Sequence, residues 1–99
     1  MENKEENELD RIIREIGDFE KKVAVPEIEK PLYDNRSNMS VAEFSKINKP
    51  LRVGLRHLHR AWSAAVDGFP KEAKRARDLG MSEIKEARLL LDESLRSKK

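Results

Sequence analysis

The sequence predicts an all-α fold, a small bundle of four to five helices. Apolar residues recur at spacings of three and four along most of the chain, which is the pattern of one face of an α-helix. Helix start and stop signals separate these stretches from one another. No run of residues has the alternation or the bounded β-branched character of a strand, so we expect no sheet.

Composition limits the size of the core. The chain has 99 residues, of which 40% are charged and 37% hydrophobic, against typical values of about 25% and about 45–50%. We therefore expect a single helical domain with a thin core that gains from a protein partner or from homo-oligomerisation. Without cysteine, disulfides and thiolate metal sites are excluded. No apolar run suits a signal peptide or a membrane span, so the expectation is a cytoplasmic protein without a membrane partner.

Residues 7–23 predict an acidic amphipathic helix. Its apolar stripe is Leu9, Ile12, Ile16, Phe19 and Val23. Acidic residues crowd its start, where the helix dipole favours negative charge. Such a helix packs on the core of its own chain or on a second copy. A coiled-coil dimerisation arm is an alternative, although the pattern lasts barely two heptads.

Residues 24–39 predict a proline-containing connection. Pro26 and Pro31 disfavour helical backbone at the residues before them. Residues 34–38 have the composition of a turn. We expect 24–33 to drape its apolar side chains over the core and 34–38 to be mobile.

The helical core is expected at 40–99 and starts with a capping box. The Ser40 hydroxyl can accept from the third helical amide, and the Glu43 carboxylate can reach back. Helices at 41–47 and 50–67, with Pro50 opening the second, resemble a helix-turn-helix pair at 41–67. The buried positions of that motif would be Phe44, Ile47, Leu51, Leu55 and Leu58.

The remaining stop signals divide the C-terminal half into two further helices. Gly68 suits a left-handed cap, and Pro70 can open the next helix at 70–79. Gly80 is expected to end that helix, and Ser82 to cap the last one.

Charge is unevenly distributed along the chain. Residues 1–34 hold 6 Lys/Arg and 11 Asp/Glu, a net of −5, whereas residues 49–77 hold 8 Lys/Arg and 2 Asp/Glu, a net of +6. Either the middle of the chain binds a polyanion, or the acidic segment lies on a basic body.

The central helix carries the candidate nucleic-acid-binding residues. In a helix-turn-helix protein the second helix enters the DNA major groove, and the planar fork of arginine suits guanine edges and phosphates. The candidates are Lys49, Arg52, Arg56, Arg60, Lys74 and Arg75. Two other interpretations remain: a solvated flank paired with the acidic N-terminal helix, and the binding site of an acidic protein.

No catalytic, cofactor or metal motif accompanies these cations. His57 and His59 are about 200° apart on a helix and cannot share one ion. Trp62 is expected in the core, or at the centre of an interface in a dimer. The sequence therefore predicts a small non-enzymatic binding protein that contacts nucleic acid through a central basic helix, as a homodimer, and takes no small-molecule substrate. The alternative is a protein–protein interaction module, an adaptor or inhibitor that uses apolar helix faces and binds no nucleic acid.

Overall fold

The structure, a computed structural model, describes residues 7–98 and places them in three helical rods. The first, here called the N-terminal rod, joins three elements without a break: α1 (Glu8–Phe19), a π-helical segment (Glu20–Glu29) and α2 (Lys30–Asp34). A short 3₁₀ turn (Arg36–Asn38) leads to α3 (Val41–Val66), and α4 (Pro70–Arg96) completes the fold. No strand occurs in this part of the chain. The all-α prediction is confirmed, and the helices are fewer and longer than the four to five expected.

Ion pairs between the rods define the topology. Glu20 and Glu29 contact His59 and Arg52 of α3, so the N-terminal rod runs antiparallel to α3. The same rod runs parallel to α4, because Glu8, Glu15 and Glu27 pair with residues of increasing number there: Lys74, Arg77 and Arg88. The result is an up-down-up arrangement with overall Cα extents of 53 × 25 × 15 Å.

The helix ends follow the signals in the sequence. The Ser40 hydroxyl accepts from the Glu43 amide at 3.0 Å, and Asn7 caps α1 in the same way. At the end of α3, Gly68 has φ +88°, its amide donates to the Ala65 carbonyl, and the Phe69 amide donates to the Ala64 carbonyl. These two bonds form the Schellman motif, which positive φ at glycine makes possible.

The helix-turn-helix pair is not confirmed. A single helix runs through Asn48 and Lys49, and Pro50 lies inside it. Proline removes one backbone hydrogen bond and costs about 3 kcal/mol in a helix interior. Ile47 and Leu51, on either side of Pro50, are both fully buried on the same face, and their burial favours one continuous rod over two helices.

The predicted connection at 24–39 is also mostly helical. Pro26 lies within the π-helical segment, whose wider turns replace the α-helical hydrogen bonds that a proline ring would obstruct. The buried residues of this segment recur at helical spacing: Ala24, Ile28 and Leu32. The segment therefore packs on the core as a helix rather than as an irregular connection. Only the turn at 35–40 resembles the predicted connection.

The prediction that Gly80 ends a helix is wrong. The helix α4 continues through Gly80 to Arg96. Gly80 instead marks the point where α4 crosses α3. A Cβ built on Gly80 would lie 2.8 Å from the Gly54 carbonyl oxygen, and a Cβ on Gly54 would lie 2.8 Å from the Gly80 carbonyl oxygen. The two backbones are therefore in direct contact at these glycines.

The core lies between the three rods and is rich in small residues. Leu51, Leu58 and Ile84 are fully buried, and alanines fill much of the rest of the α3–α4 contact. The prediction that Trp62 lies in the core is wrong, since its side chain is 48% exposed; the alternative, that Trp62 lies at the centre of a dimer interface, stays a prediction.

Candidate nucleic-acid interface

The outer face of α3 is basic and free of acidic residues. From Phe44 to Val66 the sequence contains five Lys or Arg residues and no Asp or Glu. Lys49, Arg56 and Arg60 follow one another at spacings of seven and four, so they form a row along one side of the helix. All three are exposed, and within residues 7–98 none of them forms an ion pair. This row, Lys49–Arg56–Arg60, is here called the basic row.

Arg52 lies beside the basic row but is held by the N-terminal rod. Its guanidinium donates to the Tyr33 hydroxyl at 2.7 Å and to the Glu29 carboxylate at 3.0 Å. Tyr33 in turn donates to Asn48 at 3.4 Å. The Tyr33 hydrogen bond, with the negative charge of Glu29, raises the pKa of Arg52. Arg52 therefore joins the N-terminal rod to α3, and its Nη2 group already donates to two side chains of the same chain.

Lys74 is held in a similar way at the other end of the molecule. Its ammonium forms an ion pair with Glu8 at the start of α1, and this hydrogen bond and charge lower the pKa of Glu8. Arg75, the neighbouring candidate, is exposed and has no ion-pair partner among the residues described. It lies on α4 rather than on α3, so the candidates divide between two helices.

Further acidic residues of the N-terminal rod contact α4 and α3. Arg77 donates to Glu15 at 2.6 Å, Arg88 pairs with Glu27, and His59 lies 3.6 Å from Glu20. The acidic segment thus lies on a basic body, as one of the two interpretations of the charge distribution predicts.

The structure separates the six candidates into two groups. Arg52 and Lys74 bind carboxylates of the N-terminal rod, whereas the side chains that remain exposed without an ion pair in the described chain are Lys49, Arg56, Arg60 and Arg75. Sequence reasoning did not find the structural roles of Arg77 and Arg88. No signal in a single sequence could find them, because the pairing depends on how two helices are aligned in space.

A row of exposed apolar side chains lies near the basic row. Trp62 and Val66 are four residues apart on α3 and are 48% and 54% exposed, and Phe69, beyond the end of α3, is 61% exposed. Two large apolar groups exposed one turn apart at the end of a helix form more of a patch than scattered surface residues do. We call Trp62 and Val66 the Trp62 row.

No group of three or more potential metal ligands occurs in residues 7–98. Nor does that part of the chain include a helix long and apolar enough to cross a membrane. Comparisons of the chain with protein-family models, with curated proteins and with solved structures give no match.

Proposed function

We propose that this chain is a small, non-enzymatic, cytoplasmic protein that binds DNA or RNA through the outer face of α3, as a homodimer. The observation that carries the proposal is the basic row: three exposed cations in line, on a stretch of helix without acidic residues. Other cations, such as Arg52 and Lys74, already contact carboxylates of the same chain. The row offers its charge to a ligand from outside.

The dimensions of the row suit a phosphate backbone. Arg60 lies eleven positions after Lys49, a distance of about 16 Å along a helix axis. Phosphates follow every 3.4 Å or so along the axis of each strand of a duplex, so the row is long enough to contact several of them. Arginine also donates two parallel hydrogen bonds to one phosphate.

This mode of binding differs from that of a helix-turn-helix protein. Such a protein presents the N-terminal part of a separate recognition helix to base edges, whereas α3 is one long helix with its basic side along its middle. The proposal is therefore backbone contact, with little preference for base sequence. With about three phosphates neutralised per copy, log K should fall with log salt at a slope near −2.7 for each copy that contacts the nucleic acid.

Fluorescence anisotropy with a labelled duplex and a labelled single strand tests the proposal. The triple variant Lys49→Ala, Arg56→Ala, Arg60→Ala should bind about ten times more weakly or worse at low salt, and its salt slope should approach zero. A matched control, Lys21→Ala, Lys22→Ala, Lys85→Ala, removes the same charge from exposed sites elsewhere and should bind like the natural chain. Equal losses in both variants, or no salt dependence at all, would contradict the proposal.

The Trp62 row favours a second candidate function, a protein–protein interaction module. Exposed aromatic side chains in a cluster are typical centres of protein interfaces. In this case a partner protein would cover Trp62 and Val66, and binding would depend little on salt. A preference for this partner over nucleic acid would make the chain an adaptor or an inhibitor.

The single tryptophan of the chain separates the two candidates. A partner that covers the Trp62 row would shift the emission of Trp62 to shorter wavelength, because the half-exposed indole would lose contact with water. An oligonucleotide on the basic row should leave the wavelength nearly unchanged. The variant Trp62→Ser, Val66→Ser should retain nucleic-acid binding under the first candidate and lose protein binding under the second.

A further inference from the structure

The two sides of the α3–α4 pair differ in what covers them. The N-terminal rod lies along one side, where Arg52, His59 and Arg77 contact it. The opposite side is open. A groove of about 230 Å³ lies there between the helices, lined by Lys46 of α3, Leu90 of α4 and their neighbours, and no residue of the N-terminal rod lines it. We call this side the open seam.

The open seam extends along both helices. Positions that continue from Lys46 at alternating spacings of four and three are Pro50, Val53, His57, Arg60 and Ala64. The corresponding positions of α4 are Glu72, Arg75, Leu79, Glu83, Glu86, Leu90 and Glu93. In each helix these positions come one residue before the positions that form the α3–α4 contact. They therefore repeat the heptad pattern of that contact on a neighbouring side of the helix. Both helices therefore carry a second seam beside the first.

Charges on the open seam are segregated between its two walls. The α3 wall has Lys46, with Arg60 at the edge that it shares with the basic row, and the α4 wall is acidic except for Arg75. Among the described residues of these walls no ion pair links one helix to the other, apart from Glu43 with Lys98 at one end. On the covered side, by contrast, ion pairs join the rods along their whole length. The open seam thus has complementary charges that its own chain does not bring together.

The centre of the open seam is apolar and only partly covered. Val53 and Leu90 are half-buried, Ala64 is buried, and Leu79 is 48% exposed. A ligand with charge alone would leave these side chains in water. The occupant must therefore combine an apolar centre with both signs of charge at its edges.

We propose that the occupant is a second copy of this chain, related to the first by a two-fold axis parallel to the helices. Such an axis places α3 of each copy on α4 of its partner, since both copies use the same surface. Gly54 lies level with Gly80 at the crossing. By that register, Lys46 of one copy lies level with the segment between Glu86 and Leu90 of the other, and Val53 lies level with the segment between Leu79 and Glu83.

The size of the seam agrees with a stable dimer. α3 has 26 residues and is about 39 Å long. Two adjacent helices present a face about 18 Å wide, which gives about 700 Å² per copy and about 1,400 Å² in total, within the standard range for specific interfaces. An acidic protein of another kind would match the α3 wall but would be repelled by the α4 wall. A second copy matches both walls.

This inference deepens the homodimer of the proposed function, and its test uses the protein without nucleic acid, so each can fail independently of the other. Light scattering during size-exclusion chromatography should give the natural chain twice the monomer mass of 11.5 kDa. Leu79→Glu should reduce the mass to that of the monomer. Leu89→Glu is the matched control: it makes the same change on the same helix at a side chain 65% exposed on another face, and the dimer should persist.

Charge reversal supplies a test that a merely unfolded variant cannot imitate. Lys46→Glu alone places like charges opposite Glu86 of the partner, and Glu86→Lys alone places like charges opposite Lys46, so each should dissociate at least about tenfold more readily. A mixture of these two variants restores opposite charges at both contacts and should form a heterodimer of twice the monomer mass.

Three outcomes would overturn the inference: a natural chain that stays monomeric at high concentration, a dimer unaffected by Leu79→Glu, or a mixture of Lys46→Glu and Glu86→Lys chains that does not associate. A dimer that shifts the emission of Trp62 and dissociates on Trp62→Ser would assign the interface to the Trp62 row instead.

Discussion

The contact between Gly54 and Gly80 predicts an unusual response to alanine. In an ordinary exposed helix position, Gly→Ala stabilises the fold by about 0.5–1 kcal/mol because it reduces the freedom of the unfolded chain. At Gly54 the new methyl group would lie 2.5 Å from the Ile84 side chain and 2.8 Å from the Gly80 carbonyl oxygen. The side chain can move, but the carbonyl belongs to the backbone of α4, so α3 and α4 must separate.

Overpacking of this kind costs about 1–3 kcal/mol. Because alanine gains up to about 1 kcal/mol from helix propensity, we expect Gly54→Ala and Gly80→Ala each to destabilise by about 1–2 kcal/mol. Gly17 provides the control: it lies in α1, and a Cβ built on it meets nothing within 4 Å. Gly17→Ala should therefore stabilise.

Urea unfolding followed by circular dichroism measures the free energy of unfolding of the three variants Gly17→Ala, Gly54→Ala and Gly80→Ala. The expected difference between Gly17→Ala and Gly54→Ala is about 2 kcal/mol, which corresponds to a difference in Tm of about 8–16 °C for a domain of this size. If Gly54→Ala stabilised the chain as much as Gly17→Ala, the close crossing of α3 and α4 would be refuted.

Three further predictions concern the contacts that hold the rods together. Arg52→Ala should lower the free energy of unfolding by up to about 1 kcal/mol, a modest amount because the ion pair is partly exposed. Its nucleic-acid affinity should change less than that of the basic-row variant. Urea unfolding measures the first effect and fluorescence anisotropy the second. Ser40→Ala should cost about 1 kcal/mol through loss of the cap on α3, measured in the same urea series. Hydrogen bonds from Ser94 and Lys98 lower the pKa of Glu43, so its contribution to stability is present above the unfolded pKa, about 4.3, and is lost as the pH falls through the folded value. The difference in Tm between the natural chain and Glu43→Gln should therefore shrink between pH 7 and pH 3.

Local signals predicted the ends of the helices better than their interruptions. Ser40, Gly68 and Pro70 act as the sequence indicates, because capping depends on neighbouring residues and one backbone conformation. The sequence predicts breaks at Pro50 and Gly80, yet both lie inside continuous helices. Whether such a residue interrupts a helix depends on the burial of the residues around it, and this is a tertiary property.

The candidate site shows the same limit for charged residues. The excess of cations in the middle of the chain is visible in the sequence, and so is the acidic N-terminal segment. The pairing of each cation with a carboxylate depends on the register between the rods. The sequence alone therefore gives Arg52 and Arg56 the same role, whereas in the structure only Arg52 pairs with a carboxylate of the N-terminal rod. The prediction that Trp62 is buried in the core is wrong for a related reason. Its position on the helix indicates burial, but the N-terminal rod leaves about half of its surface exposed.

The pairing of charges within the chain therefore gives a physical criterion for function. A cation that contacts a carboxylate of its own chain, such as Arg52, must exchange one partner for another to bind a ligand, and the net gain is small. A cation without such a contact, such as Arg56, gives up only water. Binding energy for a polyanion should for this reason come from the basic row, even though Arg52 lies one helical turn from Arg56 and carries the same charge. The comparison of Arg52→Ala with Arg56→Ala measures this difference directly: the first should change stability more than affinity, and the second affinity more than stability.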